Sequence, residues 1–446
     1  MLQPLQFAVQ STKDESLPGK DTARLLNMYP ETAESGVTLR SAPGLVSAAD
    51  LGPGKVEVMI SGSDGLYAAV GGSFKRWSDG VVTTLGNLPQ GDTTMARSRS
   101  QIAVVAGDRY LVWDGTTFSE VTTTIDGGDE PDYEESQLPF ARSGSVSFLS
   151  NYFIITQKDG EAFAYSLDAD TIDALNFASA EYRPDDLRRV MVSNDLIWFM
   201  GEDSIEPWQV TGAANLPFAR ISGAVKEKGL RATLETVALD NTLFWVSGEG
   251  RVYRMGQNAE VLSTDAICAT LEASTGRMFA YQQRRHDNAV VRLEDKPAVI
   301  YDPSSGMWWE RSTNPCHDPW EVTATVRHKG VWYAGTSGGQ LCTFGGFEDL
   351  GKSMRREVIS TNLTQAGERF SVDQVNLRVS GSGSVMISWS NDGGQTFSNE
   401  RQRTFGGMRE YPIQLNRLGQ HRQFCVKIAC TDNTEFSIHS ASVEIS

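Results

Sequence analysis

The sequence predicts an all-β protein, with an extended N-terminal arm (residues 1–43), a β-propeller of about seven blades (44–350) and a C-terminal β-sandwich (351–446). Three observations predict this. Helical periodicity is nearly absent, and short strands bounded by Gly, Asp and Ser turns run almost throughout. A unit of apolar strand, Gly-containing turn and aromatic-bearing strand recurs along the chain. The recurrence stops after Lys352, and the charge balance changes with it.

The first forty residues hold few apolar anchors of their own and are expected to order only against a neighbour. Next comes a strand that stands alone, "GLVSAADLG" (Gly44–Gly52), similar to the outer strand "GVVTTLG" (Gly80–Gly86) of the first full unit. The units "LYAAVGGSFKRWSDG" (Leu66–Gly80) and "IAVVAGDRYLVWDG" (Ile102–Gly115) are the clearest pair. The aromatic anchors Trp77, Trp113, Tyr165, Trp208, Tyr253, Tyr301 and Phe344 follow one another at 36, 52, 43, 45, 48 and 43 residues. A period in the forties leaves room for four strands per unit, which is the blade of a propeller. The last unit, ending near Gly346, lacks a fourth strand. The solitary Gly44–Gly52 strand is expected to supply it and close the ring. The longest spacing holds an acidic insertion, "DGGDEPDYEES", carrying Asp126, Asp129, Glu130, Asp132, Glu134 and Glu135 with no base. It lacks the ordered spacing of a calcium loop, leaving a self-repelling surface loop or an electrostatic guard. Residues 351–446 alternate as sandwich strands do, for example "FCVKIAC" (Phe424–Cys430).

Hydrophobic content of 40% with 22% charged residues is that of a soluble globular protein. No apolar run approaches the roughly 18–20 residues of a membrane span, so no membrane anchor is expected. The start has no basic region followed by an apolar stretch, so no secretory signal is expected. The five scattered cysteines are an odd number, which suggests reduced thiols made in a cytoplasm. The net charge of −16 is uneven: residues 353–446 carry +1 and residues 1–352 carry −17. So acidic a chain does not grip DNA through its phosphates, but an acidic wall lets a duplex slide without sticking. Arg401, Arg403, Arg409, Arg417 and Arg422 make the near-neutral end the expected place for contacts with protein neighbours.

Four stretches raise the question of chemistry. "SNDGGQTF" (Ser390–Phe397) fits the Asp-box pattern of sialidase-like propellers, with Ser390, Asp392, Gly394 and Thr396 at the defining positions. It occurs once and lies beyond the propeller units, and no carboxylate pair stands out for glycoside hydrolysis, so it reads as a structural turn. Gly335–Gly339 satisfies G-x-S-x-G, but a strand follows where a nucleophile elbow needs a helix. Cys316-His317-Asp318 has adjacent residues without metal-ligand spacing. Phosphate loops and dinucleotide fingerprints are missing. The reading is therefore non-enzymatic, with no cofactor and no metal.

One set of residues points beyond the fold. "LLNMYPE" (Leu25–Glu31), with Asn27 and Met28, and "LRSAPGL" (Leu39–Leu45), with Leu39, Arg40, Ser41, Pro43 and Gly44, resemble the start of the packaged-DNA stabilisation proteins of short-tailed phages. "GEDSIEPWQVTGA" (Gly201–Ala213), Lys228-Gly229, "YDPSSGMWW" (Tyr301–Trp309), the "SNDG" turn and "RLG" (Arg417–Gly419) extend the resemblance in the same order to the C-terminal domain. The resemblance implies a virion protein of the tail hub, also called a head-to-tail stopper. It implies a homo-hexameric ring below the portal and its adaptor ring. That ring extends the DNA channel, retains packaged DNA, and seats the tail needle and tailspikes or other distal tail proteins. A tail nozzle is the nearest alternative, and a carbohydrate-binding or sialidase-like propeller a more distant one.

Overall fold

A computed structural model describes residues 1–7, 13, 22–33, 36–122, 138–180, 182–272, 274–313, 317–407 and 409–446. Six antiparallel four-stranded units, at residues 56–87, 93–120, 143–179, 187–220, 236–261 and 276–311, are blades 1 to 6 of a propeller. Blade 7 has three strands of its own, Val322–His328, Val331–Thr336 and Gln340–Phe344. Its fourth strand is Leu45–Asp50, which pairs antiparallel with Gln340–Phe344 from Leu45↔Phe344 to Asp50↔Gln340. The solitary strand of the sequence thus closes the ring, tying the first blade's approach to the last blade's edge.

Each aromatic anchor lies on the third strand of its blade, because the period it marks is the blade itself. Several pack across to a neighbouring blade. Trp77 meets Tyr333 of blade 7 at 5.3 Å between ring centroids, Trp208 meets Phe163 of blade 3 at 5.5 Å, and Phe344 stacks on Tyr281 of blade 6 at 4.6 Å. The apolar core follows the same logic. Among the described residues it divides into seven clusters, six of them between adjacent blades and the seventh joining the layer between blades 6 and 7 to the core of the sandwich. A helix, Asp265–Glu272, departs from the strand pattern. Its Ile267 and Leu271, four apart and therefore on one face, are buried in the core between blades 5 and 6.

The sandwich sits beside blades 6 and 7. One sheet orders Met28–Ala33, Gly36–Ser41, Phe436–Ile445, Phe370–Gly381 and Tyr411–His421, and Leu2–Pro4 also pairs with Phe436–Ile445. The other orders Arg356–Ile359, Gln423–Cys430, Gly383–Ser390 and Arg401–Phe405. Alternation delivers Val375, Leu377 and Val379 from the first sheet, and Val426 and Ile428 from the second, into a common core. The two domains are not separate sheets. Arg24–Leu26 pairs antiparallel with Arg356–Ile359 and meets the outer strand of blade 6 in parallel at Leu26↔Glu310. Blade 6 and one sandwich sheet thereby form one continuous ten-stranded sheet. The neighbour that orders the described part of the N-terminal segment is the chain's own sandwich and sixth blade.

Candidate functional site: the junction of propeller and sandwich

The residues that carry the N-terminal resemblance converge on this junction. Asn27 stands between two strands with φ of 52°, in the left-handed region that Asn tolerates better than most side chains. Its amide donates to Ser312 O at 3.0 Å and Arg355 O at 2.7 Å, while its Oδ1 accepts from Ser312 N at 3.2 Å. One buried side chain thus ties the end of blade 6 to the start of the sandwich. Met28 and Leu39 are buried in the core that spans both domains. Arg40 pairs with Glu31 at 2.8 Å and Glu435 at 3.1 Å, and Arg284 of blade 6 reaches the same Glu435 at 2.6 Å. Burial opposes the charge on Glu435, but hydrogen bonds from Arg284 and Arg40 hold its carboxyl below the usual range.

Ser41 Oγ donates to Phe436 O at 2.6 Å and accepts from Phe436 N at 3.1 Å, stitching the N-terminal strand to the last one. Pro43 O accepts from Arg311 Nη1 at 2.9 Å. Gly44 is required by close approach, since a Cβ there would lie 2.0 Å from Glu348 O.

Charged residues at the seam escaped the sequence reading. Arg24 pairs with Glu310 at 2.6 Å with both side chains largely buried. Arg311 is fully buried, with its guanidinium 4.7 Å from the Trp320 ring centroid. Arg356, also fully buried, donates to the Asp432 and Thr434 carbonyls. Glu357 is buried, which opposes its charge, yet His317, Arg355 and Arg24 pull its carboxyl down to about 2. Asp349 is 1% exposed, and burial pushes its carboxyl up to about 6 against the pull of Arg311. A signal was present in the sequence. "WWERS" and "RREVI" place charges inside apolar strands, where they persist only if paired.

The Asp-box stretch is a hydrogen-bonded turn. Asp392 Oδ1 accepts from Ser390 Oγ at 2.6 Å, Gln395 N at 3.0 Å and Thr396 N at 3.0 Å, and Gly394 N donates to Ser390 Oγ at 2.9 Å. Partial burial works against the Asp392 charge, but these donors outweigh it and bring the carboxyl to about 2. Gly394 has φ of 84°, and a Cβ there would lie 3.4 Å from Thr22 Cγ2 of the N-terminal segment. Gly335–Gly339 joins two antiparallel strands of blade 7 and is a hairpin. His317 lies 3.5 Å from Glu357, while Cys316 falls outside the described residues. The four described cysteines, Cys268, Cys342, Cys425 and Cys430, are free thiols.

The five arginines lie on or beside the strands Arg401–Phe405 and Tyr411–His421. Arg401 and Arg403 are on Arg401–Phe405 and Arg417 is on Tyr411–His421, the terminal strands of their two sheets. Arg401 stacks on Trp389 at 4.6 Å and Arg422 donates to Gly367 O at 2.6 Å. Arg403 and Arg409 are exposed. The acidic residues Asp126, Asp129, Glu130, Asp132, Glu134 and Glu135 lie outside the described residues. Among the described residues, no helix is long and apolar enough to cross a membrane.

Two family models match the chain in the order of its domains. The family model described as Bacteriophage P22 Gp10, beta-propeller, matches residues 20–342, and that described as Bacteriophage P22 Gp10, beta-sandwich, matches residues 355–446. No curated protein matches the chain. Similar solved structures include the WD40 beta propeller domain of Doa1, with 13% identity over 68% of this chain and 96% of that one and a TM-score of 0.43. Another is YCF48 bound to D1 peptide, with 10% identity over 70% of this chain and 100% of that one and a TM-score of 0.42. With both of its domains matched in order, the chain belongs to the Bacteriophage P22 Gp10 family, the packaged-DNA stabilisation and tail hub proteins, and is a non-enzymatic structural component of the phage tail.

Proposed function

We propose that six copies of this chain form a ring beneath the portal adaptor ring, prolonging the DNA channel and holding the packaged genome until ejection. The observation that carries this reading is the family match across both propeller and sandwich. Physical features support it. A closed propeller continuous with a sandwich through one ten-stranded sheet is a stiff block that transmits load between head and tail. The excess acid of residues 1–352 suits a wall past which DNA moves, because carboxylates beside phosphates repel. On this reading the insertion at 126–136 acts as a guard that keeps the duplex from adhering. A ring larger than a dimer is built head to tail from two different surfaces of each subunit. The sandwich faces protein neighbours, and the tail needle and the tailspikes or other distal proteins attach below.

Phage heads assembled without this protein test the retention role. They are expected to package DNA to full length and then lose it, and added purified protein is expected to seal them. Heads that stay full without it would overturn the proposal.

A further inference from the structure

Where the third strands of blades 3 and 4 lead to the fourth lies a cleft of about 780 Å³ between two loops, one joining Ala162–Ser166 to Phe177–Ser179 and the other following Ile205–Val210. Tyr152, Tyr165, Leu167, Ile172, Leu175 and Pro217 give it an apolar lining. Leu167 and Leu175 are 64% and 73% exposed, and Phe177, two residues further on, is 51% exposed. Grouped exposure of this kind marks an interaction surface more often than scattered single side chains do. The cleft is preformed. Tyr110 OH of blade 2 donates to Ala169 O at 2.9 Å, Gln101 Oε1 accepts from Ala169 N at 3.0 Å, and Tyr165 OH donates to Asn215 O at 2.7 Å.

Its rim is acidic. Asp168 and Asp173 line it, no Lys or Arg does, and Asp170 lies on the same loop. Burial, and then the hydrogen-bonded Asp168 carboxyl beside it, raise the Asp170 carboxyl. Among the described residues, Asp168, Asp170 and Asp173 form no ion pair.

The opposite condition holds on the sandwich. Among the described residues, Arg403, Arg409 and Arg417 form no ion pair, and the two strands that carry Arg403 and Arg417 end their sheets with open edges. The sandwich joins the propeller at blades 6 and 7. Counted around a closed seven-blade ring, blade 3 is about half a turn away from that attachment. Acidic cleft and basic edge therefore lie on opposite sides of one chain, the placement that a head-to-tail ring requires.

We propose that the cleft of blades 3 and 4 receives the Arg403–Arg417 edge of the sandwich from a second copy of this chain. The apolar floor is then covered by the incoming strand edge, and the carboxyls of the rim meet guanidinium groups in place of water. The occupant follows from charge: unpaired acid faces one way and unpaired base the other. This inference rests on the ring of the proposed function.

The test uses tails isolated from virions whose only copy of the gene encodes Leu175→Cys together with Arg403→Cys, Arg409→Cys or Arg417→Cys. At least one pair is expected to give covalent multimers of this chain on oxidation, while the single variants stay monomeric. In parallel, Leu175→Glu, an exposed substitution, is expected to melt as the unmodified chain does and to enter tails at least tenfold less. Tails that hold several copies yet yield no multimer with any pair, or a cross-link from Leu175 to a different tail protein, would overturn the contact and leave the ring standing. Normal incorporation of Leu175→Glu would also overturn it. Tails that hold a single copy would overturn the ring and the contact together.

Discussion

The layers between blades and the seam to the sandwich hold the molecule together by different chemistry. Between blades 3 and 4 the contact is apolar and repeated in kind elsewhere, with Phe163, Phe199 and Trp208 packed ring on ring within a fully buried cluster. At the seam, single polar residues are decisive: Asn27 alone bonds Ser312 and Arg355, Arg24 pairs with Glu310 and Arg355 with Glu357, and the buried Arg311 and Arg356 each donate to backbone carbonyls. Stacked repeats need only complementary apolar faces, which many residues supply. A junction between unlike elements has one register to specify. Directional hydrogen bonds and paired charges specify it, because misplacing them leaves buried groups unsatisfied.

Removal of both devices at once has the largest expected effect. Deleting residues 1–52 takes away the closing strand of blade 7 and the strand that links blade 6 to the sandwich. The thermal transition is expected to fall sharply and lose cooperativity, and a truncated chain melting at the temperature of the intact one would contradict the scheme. Within the repeated layers, Trp208→Ala is expected to cost about 3–5 kcal/mol, the usual loss for a buried aromatic. Asn27→Ala should cost about 3 kcal/mol in hydrogen bonds and backbone strain, with Asn27→Gly milder by about 1 kcal/mol because glycine keeps the left-handed φ without penalty. Equal losses for the Ala and Gly variants in urea melts would show that the backbone conformation contributes nothing.

A pH series sharpens the contrast, because the seam contains two buried carboxyls shifted in opposite directions. Burial pushes the folded Asp349 carboxyl up to about 6, above the unfolded value of about 3.9. The folded chain thus binds the extra proton between these values, and this group's contribution to stability falls as pH rises from about 4 to about 6. Asp349→Asn is expected to remove that slope and to stabilise the protein at neutral pH by on the order of 2 kcal/mol. Glu357 works the other way: its contribution is present above the unfolded value of about 4.3 and is lost as pH falls toward about 2. An unchanged pH profile in the Asp349→Asn variant would dismiss the first of these. The smallest effect belongs to the turn. Asp392→Ala is expected to cost about 1–2 kcal/mol, through lost local hydrogen bonds, without creating or abolishing any glycosidase turnover.

What the sequence determined by itself was everything written locally or in a period. The third-strand aromatics from Trp77 to Phe344 counted the blades, because each blade is one hairpin-linked unit whose strands are neighbours in the chain. The missing strand of the last unit and the solitary Gly44–Gly52 strand were legible for the same reason, as a gap and a surplus in one pattern. The Asp392 turn was legible because its donors lie within four residues. Only the tertiary structure decided where residues 24–41 go. They join partners near residues 310, 357 and 438, and a pairing across some 285 to 400 positions leaves no periodic trace in either strand. Tertiary structure likewise decided what covers Arg311, Arg356 and Asp349, since Pro43, Ser41 and Leu45, some 268 to 315 positions away, lie against them.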